Sequence, residues 1–359
     1  MFNMMDYINW RGDLGFSESP FNVVDNLIFT QLSYLDFSGI VPEKISDSVT
    51  LKDARDKYLK LGRKPESVIL PEEIYGMFNL MADSKRFSDI KLSGYVTKHD
   101  EETEKQFAAI TILFDKKLYV SFRGTDDSLI GWKEDFNLAF MESVPAQRDA
   151  AMYLNKVMKD LLFLPVYVGG HSKGGNLSLY AAMNCKSVYK RRVKKIYTND
   201  SPGFLEKVIN SKEYIEASAK MVSIVPEGSV IGQLLSHGRK DDIIVKSESA
   251  LLRQHDPFTW SVLGDKFVEV QNLNEKSKRV NSVISSWLCK LSKEERESFV
   301  DAIYELFTVT DAKSLLDIAN DKIGFLKSLG KLSKESKQDI SKNIGQIIEE
   351  IAKLKLKKD

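Results

Sequence analysis

Cysteine is scarce. Cys185 and Cys289 are the only two in 359 residues, which excludes a disulfide scaffold, and their spacing matches no zinc or redox motif. A reducing compartment is therefore expected. Long apolar runs are also missing, since none approaches the ~20 residues that span a bilayer. At the N-terminus Asp6, Arg11 and Asp13 interrupt the stretch where a signal peptide needs an apolar core, so a soluble, cytoplasmic protein is expected. An excess of one charge is lacking too: 52 Lys and Arg stand against 51 Asp and Glu, a net charge of +1. That balance gives no global field to recruit nucleic acid. No histidine and carboxylate cluster has metal-ligand spacing, and no glycine-rich Lys-Ser/Thr loop could cradle phosphate, so neither metal nor cofactor is expected.

What is present is an alternation of strand and helix signals up to about residue 272. "KLSGYVTK" (91–98), "FAAITILF" (107–114) and "KLYVSFRG" (117–124) read as successive strands, the last two joined by a tight Asp115-Lys116 turn. "AQRDAAMYLNKVMKDLL" (146–162) is helical, "LPVYVGG" a strand, "GNLSLYAAMNC" helical and "VKKIYTND" (193–200) a strand. "KMVSIVP" (220–226), "DIIVKS" (242–247) and "DKFVEV" (265–270) continue the strand series. This alternation implies βαβ crossovers and a mostly parallel sheet flanked by helices. Residues 1–84 form a helical lead-in, in which Ser19 and Pro20 read as a cap and a first helical position. From 273 to 359 the text turns into amphipathic helices without strands, a helical C-terminal module. The expected organisation is an α/β domain over 1–272 and that module.

The segment "LLFLPVYVGGHSKGGNLSLYAA" centres on Gly170-His171-Ser172-Lys173-Gly174. A nucleophile on a sharp strand-to-helix turn takes a strained backbone, and its neighbours Gly170 and Gly174 must lack side chains. Here an apolar strand precedes Ser172 and a helix follows at once. Ser172 is the candidate nucleophile.

A serine hydroxyl needs a general base, oriented by an acid. Only four histidines exist. His99 precedes the nucleophile, beside an expected turn, and His171 adjoins it with its ring directed elsewhere. His255, in the loop-like "LLRQHDPFTW", is the favoured base; His237, ending what reads as an apolar helix in "VIGQLLSHGRK", is the alternative. Asp200, at the carboxyl end of the next strand, is the favoured acid and Glu227 the alternative. Asp256 reads as a cap before Pro257. An oxyanion hole requires two backbone N–H donors. One belongs to Lys173, and the other is expected from Thr125 in "SFRGTDD", with Asp135 accepting from Thr125 to hold the loop. The Lys173 side chain reads either as a cation for an anionic acyl or phosphate-bearing substrate or as a solvated lysine at a helix start.

The residues "SFRGT", "WKED" and "GGHSKGG" resemble the motifs of α/β-hydrolases of the fungal-type (class three) lipase group, in the same order. The match covers roughly residues 85 to 260. The whole chain is more similar still to a widespread bacterial family of lipase-like proteins with Gly-His-Ser-Lys-Gly-Gly-Asn, Asn-Asp-x-Pro-Gly-Phe and Gln-His-Asp-Pro-Phe segments. The resemblance implies an α/β-hydrolase fold, a nucleophile at Ser172, an oxyanion loop at Thr125 and a base at His255. One position departs: fungal-type lipases carry their acid in Asp-x-Val-Pro, and here Ser223 stands in its place. "NDSPGF" instead resembles the acid segment of pancreatic-type lipases, which again favours Asp200.

Two functions follow from this reading. The first is a serine esterase acting on acyl esters, with the C-terminal helices and the segment 226–237 covering the cleft. The second is a non-hydrolytic protein that keeps the fold and binds a partner. The tail from 331, with eight lysines against five acids, would then touch a membrane surface, or pack on the domain as a solvated amphipathic helix.

Overall fold

The computed structural model describes residues 2–63, 70–126, 128–238, 242–308 and 329–356. Eight strands lie in sequence order across one sheet: β1 (Val49–Thr50), β2 (Lys91–Asp100), β3 (Lys105–Phe114), β4 (Lys117–Phe122), β5 (Val166–His171), β6 (Val193–Asn199), β7 (Met221–Pro226) and β8 (Ile243–Val245). β1 to β4 are antiparallel and β4 to β8 parallel. The β3–β4 hairpin turns on Asp115 and Lys116, at φ 41° and 56°. Both are in the left-handed region that a two-residue turn between right-twisting strands demands.

Alternating side chains of the sheet build two cores. Ile110, Ile112, Tyr119 and Tyr197 meet the lead-in helices α1 (Met4–Arg11), α2 (Val23–Leu32), α3 (Leu51–Lys60) and α4 (Pro71–Asp83) on one face. Phe107, Val120, Phe122 and Val168 meet α6 (Pro145–Asp160) and α7 (Lys173–Asn184) on the other. Between β4 and α6 lies α5 (Leu129–Asn137), while α8 (Ser187–Lys190), α9 (Glu206–Ile209) and α10 (Lys212–Ser218) fill the later crossovers. A mostly parallel sheet covered on both faces, with a tight strand-to-helix turn at the end of β5, is the α/β-hydrolase architecture.

The lead-in corrects one expectation. α2 starts at Val23 rather than after Ser19, because Asn22 accepts from the N–H groups of Val24 and Asp25 while Asp25 accepts from the Asn22 N–H. That reciprocal cap outcompetes Ser19-Pro20. Asp25 is buried with Arg86, whose guanidinium bonds it at 2.8 and 2.5 Å and also takes the carbonyls of Leu14 and Ser19. Every buried charge there has a partner.

"DKFVEV" likewise yields only β10 (Lys266–Phe267), paired with β9 (Val262–Leu263) outside the main sheet. The C-terminal helices α11 (Glu275–Lys290), α12 (Lys293–Thr308) and α13 (Lys334–Leu356) pack together. Trp287 Nε1 donates to Asn343 at 3.1 Å, and Lys290 and Ser286 reach Glu350. The tail helix is thus docked on its own module, with Ile344 and Ile348 left 51% and 59% exposed. The helical signal in 311–328 lies outside the described residues. Among the described residues no helix is long and apolar enough to cross a membrane.

Candidate active site

Ser172 stands where β5 turns into α7, at φ 58° and ψ −134°. A non-glycine residue in that region costs on the order of 1–3 kcal/mol, and the surroundings must enforce it. They do so by close approach. A Cβ on Gly170 would lie 2.1 Å from the Gly174 carbonyl carbon, and one on Gly174 would lie 2.2 Å from the Phe122 oxygen. The Ser172 N–H donates to the Asn199 carbonyl at 2.9 Å, and Asn199 donates to the Gly170 carbonyl at 3.0 Å. The turn is thereby sewn to β6.

Asp200 follows Asn199 and is fully buried. Its Oδ2 meets His255 Nδ1 at 2.6 Å, and its Oδ1 accepts from the Gly232 N–H at 3.0 Å and from the Ser229 hydroxyl at 2.5 Å. Gly232 cannot be larger, because a Cβ there would lie 2.2 Å from Asp200 Oδ1. A carboxylate opposite Nδ1 fixes the His255 proton on that nitrogen and leaves Nε2 as an acceptor. The His255 side chain is 25% exposed, so Nε2 is not sealed in the core. Gln254 braces the neighbouring backbone, accepting from the Gly228 N–H at 2.6 Å while its own carbonyl accepts from Trp260 Nε1 at 2.8 Å.

His171 has a place of its own. Its ring stacks on His255 with centroids 4.5 Å apart, and its Nε2 donates to the His255 carbonyl at 2.9 Å. A carbonyl only accepts, so Nε2 carries the proton and Nδ1 accepts from the Tyr34 hydroxyl at 3.4 Å. Burial, reinforced by the charge of His255, holds the His171 pKa well below its usual value. His171 is thus a neutral support under His255. Tyr34 is also hydrogen-bonded to the Gly124 backbone, which ties this support to the loop after β4.

That loop lies against the elbow: a Cβ on Gly124 would be 2.6 Å from the His171 carbonyl and 3.2 Å from Ser172 Cβ. The hydroxyl of the next residue, Thr125, donates to Asp135 Oδ2. Burial raises the Asp135 pKa to about 6, against the Lys173 ammonium and the Thr125 hydroxyl, which lower it. Beside the loop, Asp126 accepts from His99 at 2.8 Å and Arg123 at 3.1 Å. Burial would raise its pKa, yet these partners hold it well below the usual range. His99 therefore sits in β2 as a loop anchor, not in a turn.

Three expectations are corrected. Lys173 is neither solvated nor aimed at substrate: it is buried, and its Nζ meets Gln106 Oε1 at 2.8 Å and Glu134 Oε2 at 3.0 Å. Its aliphatic stem carries the charge down to Glu134 and Asp135, behind the loop that follows β4. His237 ends no helix, since only the turn Ile231–Gln233 is helical. Its ring packs by Gly203, and its carbonyl accepts from the Tyr214 hydroxyl. Burial lowers its pKa. Glu227 gives its backbone to Val245 and Asn274, and it is Asp200 that meets His255. Asp256 accepts from the Phe258 N–H at 2.9 Å, as a cap should.

Tyr34, Glu134, Ser229 and Gln254 escape sequence reading. They are polar residues scattered over more than 200 positions, and only folding brings them to the elbow.

A family model described as Mbeg1-like matches residues 81–305. No curated protein matches the chain. Among solved structures it is similar to the Rhizomucor miehei lipase in its propeptide complex, at 16% identity over 67% of this chain and 80% of that one, with a TM-score of 0.37. It is also similar to the lipase from Rhizopus microsporus var. chinensis, at 15% identity over 68% of this chain and 89% of that one, TM-score 0.35. A third is the Lip2 lipase from Yarrowia lipolytica, at 13% identity over 56% and 75%, TM-score 0.33. With the matched span exceeding half its length, the chain belongs to the Mbeg1-like family.

Proposed function

We propose that the protein is a serine hydrolase that cleaves carboxylic esters, with acyl esters of lipids as its substrate class. Ser172 Oγ attacks the ester carbonyl, its proton passes to His255 Nε2, and the carbonyl electrons move onto the oxygen. The N–H groups of Lys173 and Thr125 hold that oxyanion. On collapse the ester C–O bond breaks and His255 returns the proton to the departing alkoxide. Water then repeats the sequence and frees the acid. Asp200 stabilises the imidazolium that forms in each half. The reading is carried by the 2.6 Å bond between Asp200 Oδ2 and His255 Nδ1, beside a serine strained at an elbow. In this assignment residues 1–272 carry the chemistry and 273–359 brace it, in a cytoplasmic protein.

Hydrolysis of p-nitrophenyl esters of graded acyl length tests it. Wild type is expected to turn over, and Asp200→Asn to lose about 10⁴-fold in kcat, because the wrong imidazole tautomer is favoured. Undiminished turnover by Asp200→Asn, or none by folded wild type on any chain length, contradicts the assignment.

A further inference from the structure

The catalytic elements gather at the carboxyl ends of the parallel strands. At the opposite edge, roughly 20 Å away at ~3.3 Å per residue, the surface has a different character. Residues 186–195, "KSVYKRRVKK", hold six cations and no acid, although the chain as a whole carries only +1. Lys186, Arg191, Lys194 and Lys195 are exposed. Acid compensation is partial: Glu216 faces Lys190 at 3.6 Å and is shared with Lys212 at 3.8 Å.

Beside this segment an apolar turn projects into solvent. Phe163 is 92% exposed and Leu162 53%, and Val188 inside the basic segment is 74% exposed. Phe163 also sits at φ 69°, a left-handed conformation costly for a bulky side chain. Burial within the chain does not offset that cost, yet the turn is firmly held. The Arg192 guanidinium bonds the carbonyls of Met158, Leu161 and Leu164 at 2.6, 2.5 and 3.1 Å, so the basic segment itself clamps the apolar turn in place. Burial, with a smaller contribution from the nearby charges of Lys194 and Lys190, lowers the Lys220 pKa.

We propose that this edge is a docking surface for an anionic lipid bilayer, with Phe163 and Leu162 entering the headgroup layer and the lysines of 186–195 meeting lipid phosphates and carboxylates. Lipid suits the surface better than nucleic acid, because the projecting residues are largely aliphatic and the cations largely lysine, without the base-stacking aromatic rows or arginine forks of nucleic-acid readers. Docked in this way, the protein turns Ser172 toward solution. The surface tethers the enzyme and does not feed it.

Cosedimentation of the full chain with vesicles of phosphatidylcholine alone, or with 30% phosphatidylserine, tests the proposal. Wild type is expected to bind the anionic vesicles, and to bind them less as salt rises. Replacing Lys186, Arg191, Lys194 and Lys195 by Gln should weaken binding by roughly several hundredfold, given roughly fivefold for each of four cations at the surface. Phe163→Ser should weaken it severalfold with circular dichroism unchanged. Absence of wild-type binding, equal binding to neutral vesicles, or binding indifferent to both variants overturns the proposal. So does capture of RNA or acidic peptide that tolerates Phe163→Ser.

Discussion

At the scale of single residues, the hydrogen bonds of the site fix where its protons lie. His171 and His255 pack ring against ring with centroids 4.5 Å apart and planes tilted by 31°, and two like rings would repel if both were charged. Burial keeps His171 neutral, so in the proposed mechanism the positive charge falls on the ring bonded to Asp200. His171→Phe keeps the stacking but deletes the bond to the His255 carbonyl. We expect kcat/KM for a soluble ester to fall roughly 10- to 100-fold, as for loss of a supporting contact behind a reactive group, with an altered pH profile. An unchanged profile would reduce His171 to packing. Asp135 supplies a second test. Its folded pKa of about 6 stands above the ordinary 3.8, so its contribution to stability is full below 3.8 and is lost as pH rises through 6. Asp135→Asn should therefore gain in Tm relative to wild type between pH 4 and pH 7, measured by thermal unfolding.

At the scale of elements, a buried ion pair joins α7 to α5 and β3. Lys173 and Glu134 are both without exposure, and Glu134 also accepts the N–H groups of Gln106 and Ala146 at 3.1 and 2.8 Å. Breaking one side of such a pair costs about 3–5 kcal/mol, because the partner charge is stranded. Lys173→Met is thus expected to lower Tm steeply, and adding Glu134→Gln should restore part of the loss. The sequence made Lys173 legible as the residue after Ser172 but not its destination, because Glu134 lies 39 positions away and no spacing rule connects them. The same physics explains the misread helix at 230–237. "VIGQLL" has helical composition, yet the Ser229 hydroxyl and the Gly232 N–H are spent on Asp200, and the chain there follows that carboxylate. Where a local signal is strong, as in Gly170 to Gly174 or the Asp115-Lys116 turn, sequence and structure coincide.

At the scale of the whole molecule, the C-terminal helices grip the loops that hold the site. The Asn274 N–H donates to the Glu227 carbonyl at 2.7 Å, Ser277 reaches the Ser229 carbonyl, and Asn281 meets Gln233 at 3.1 Å. On the other flank Lys133 bridges Glu104 and Asp301 at 2.7 and 3.1 Å, and Arg296 donates to the Ala139 carbonyl at 2.8 Å. The 227–233 loop that holds Asp200 is therefore braced by the module. Ser277→Ala combined with Asn281→Ala should slow modification of Ser172 severalfold while shifting Tm by only a few degrees. Helical periodicity foretold the module, whereas its grip on the 227–233 loop depends on contacts some 48 residues apart in sequence.

The most direct test of the central claim is covalent labelling with a fluorophosphonate, read by intact mass on wild type, Ser172→Ala and His255→Ala. A nucleophile activated by the Asp200–His255 pair predicts one adduct on wild type and none on either variant. Labelling that persists in Ser172→Ala, or folded wild type that takes up no probe, would contradict it.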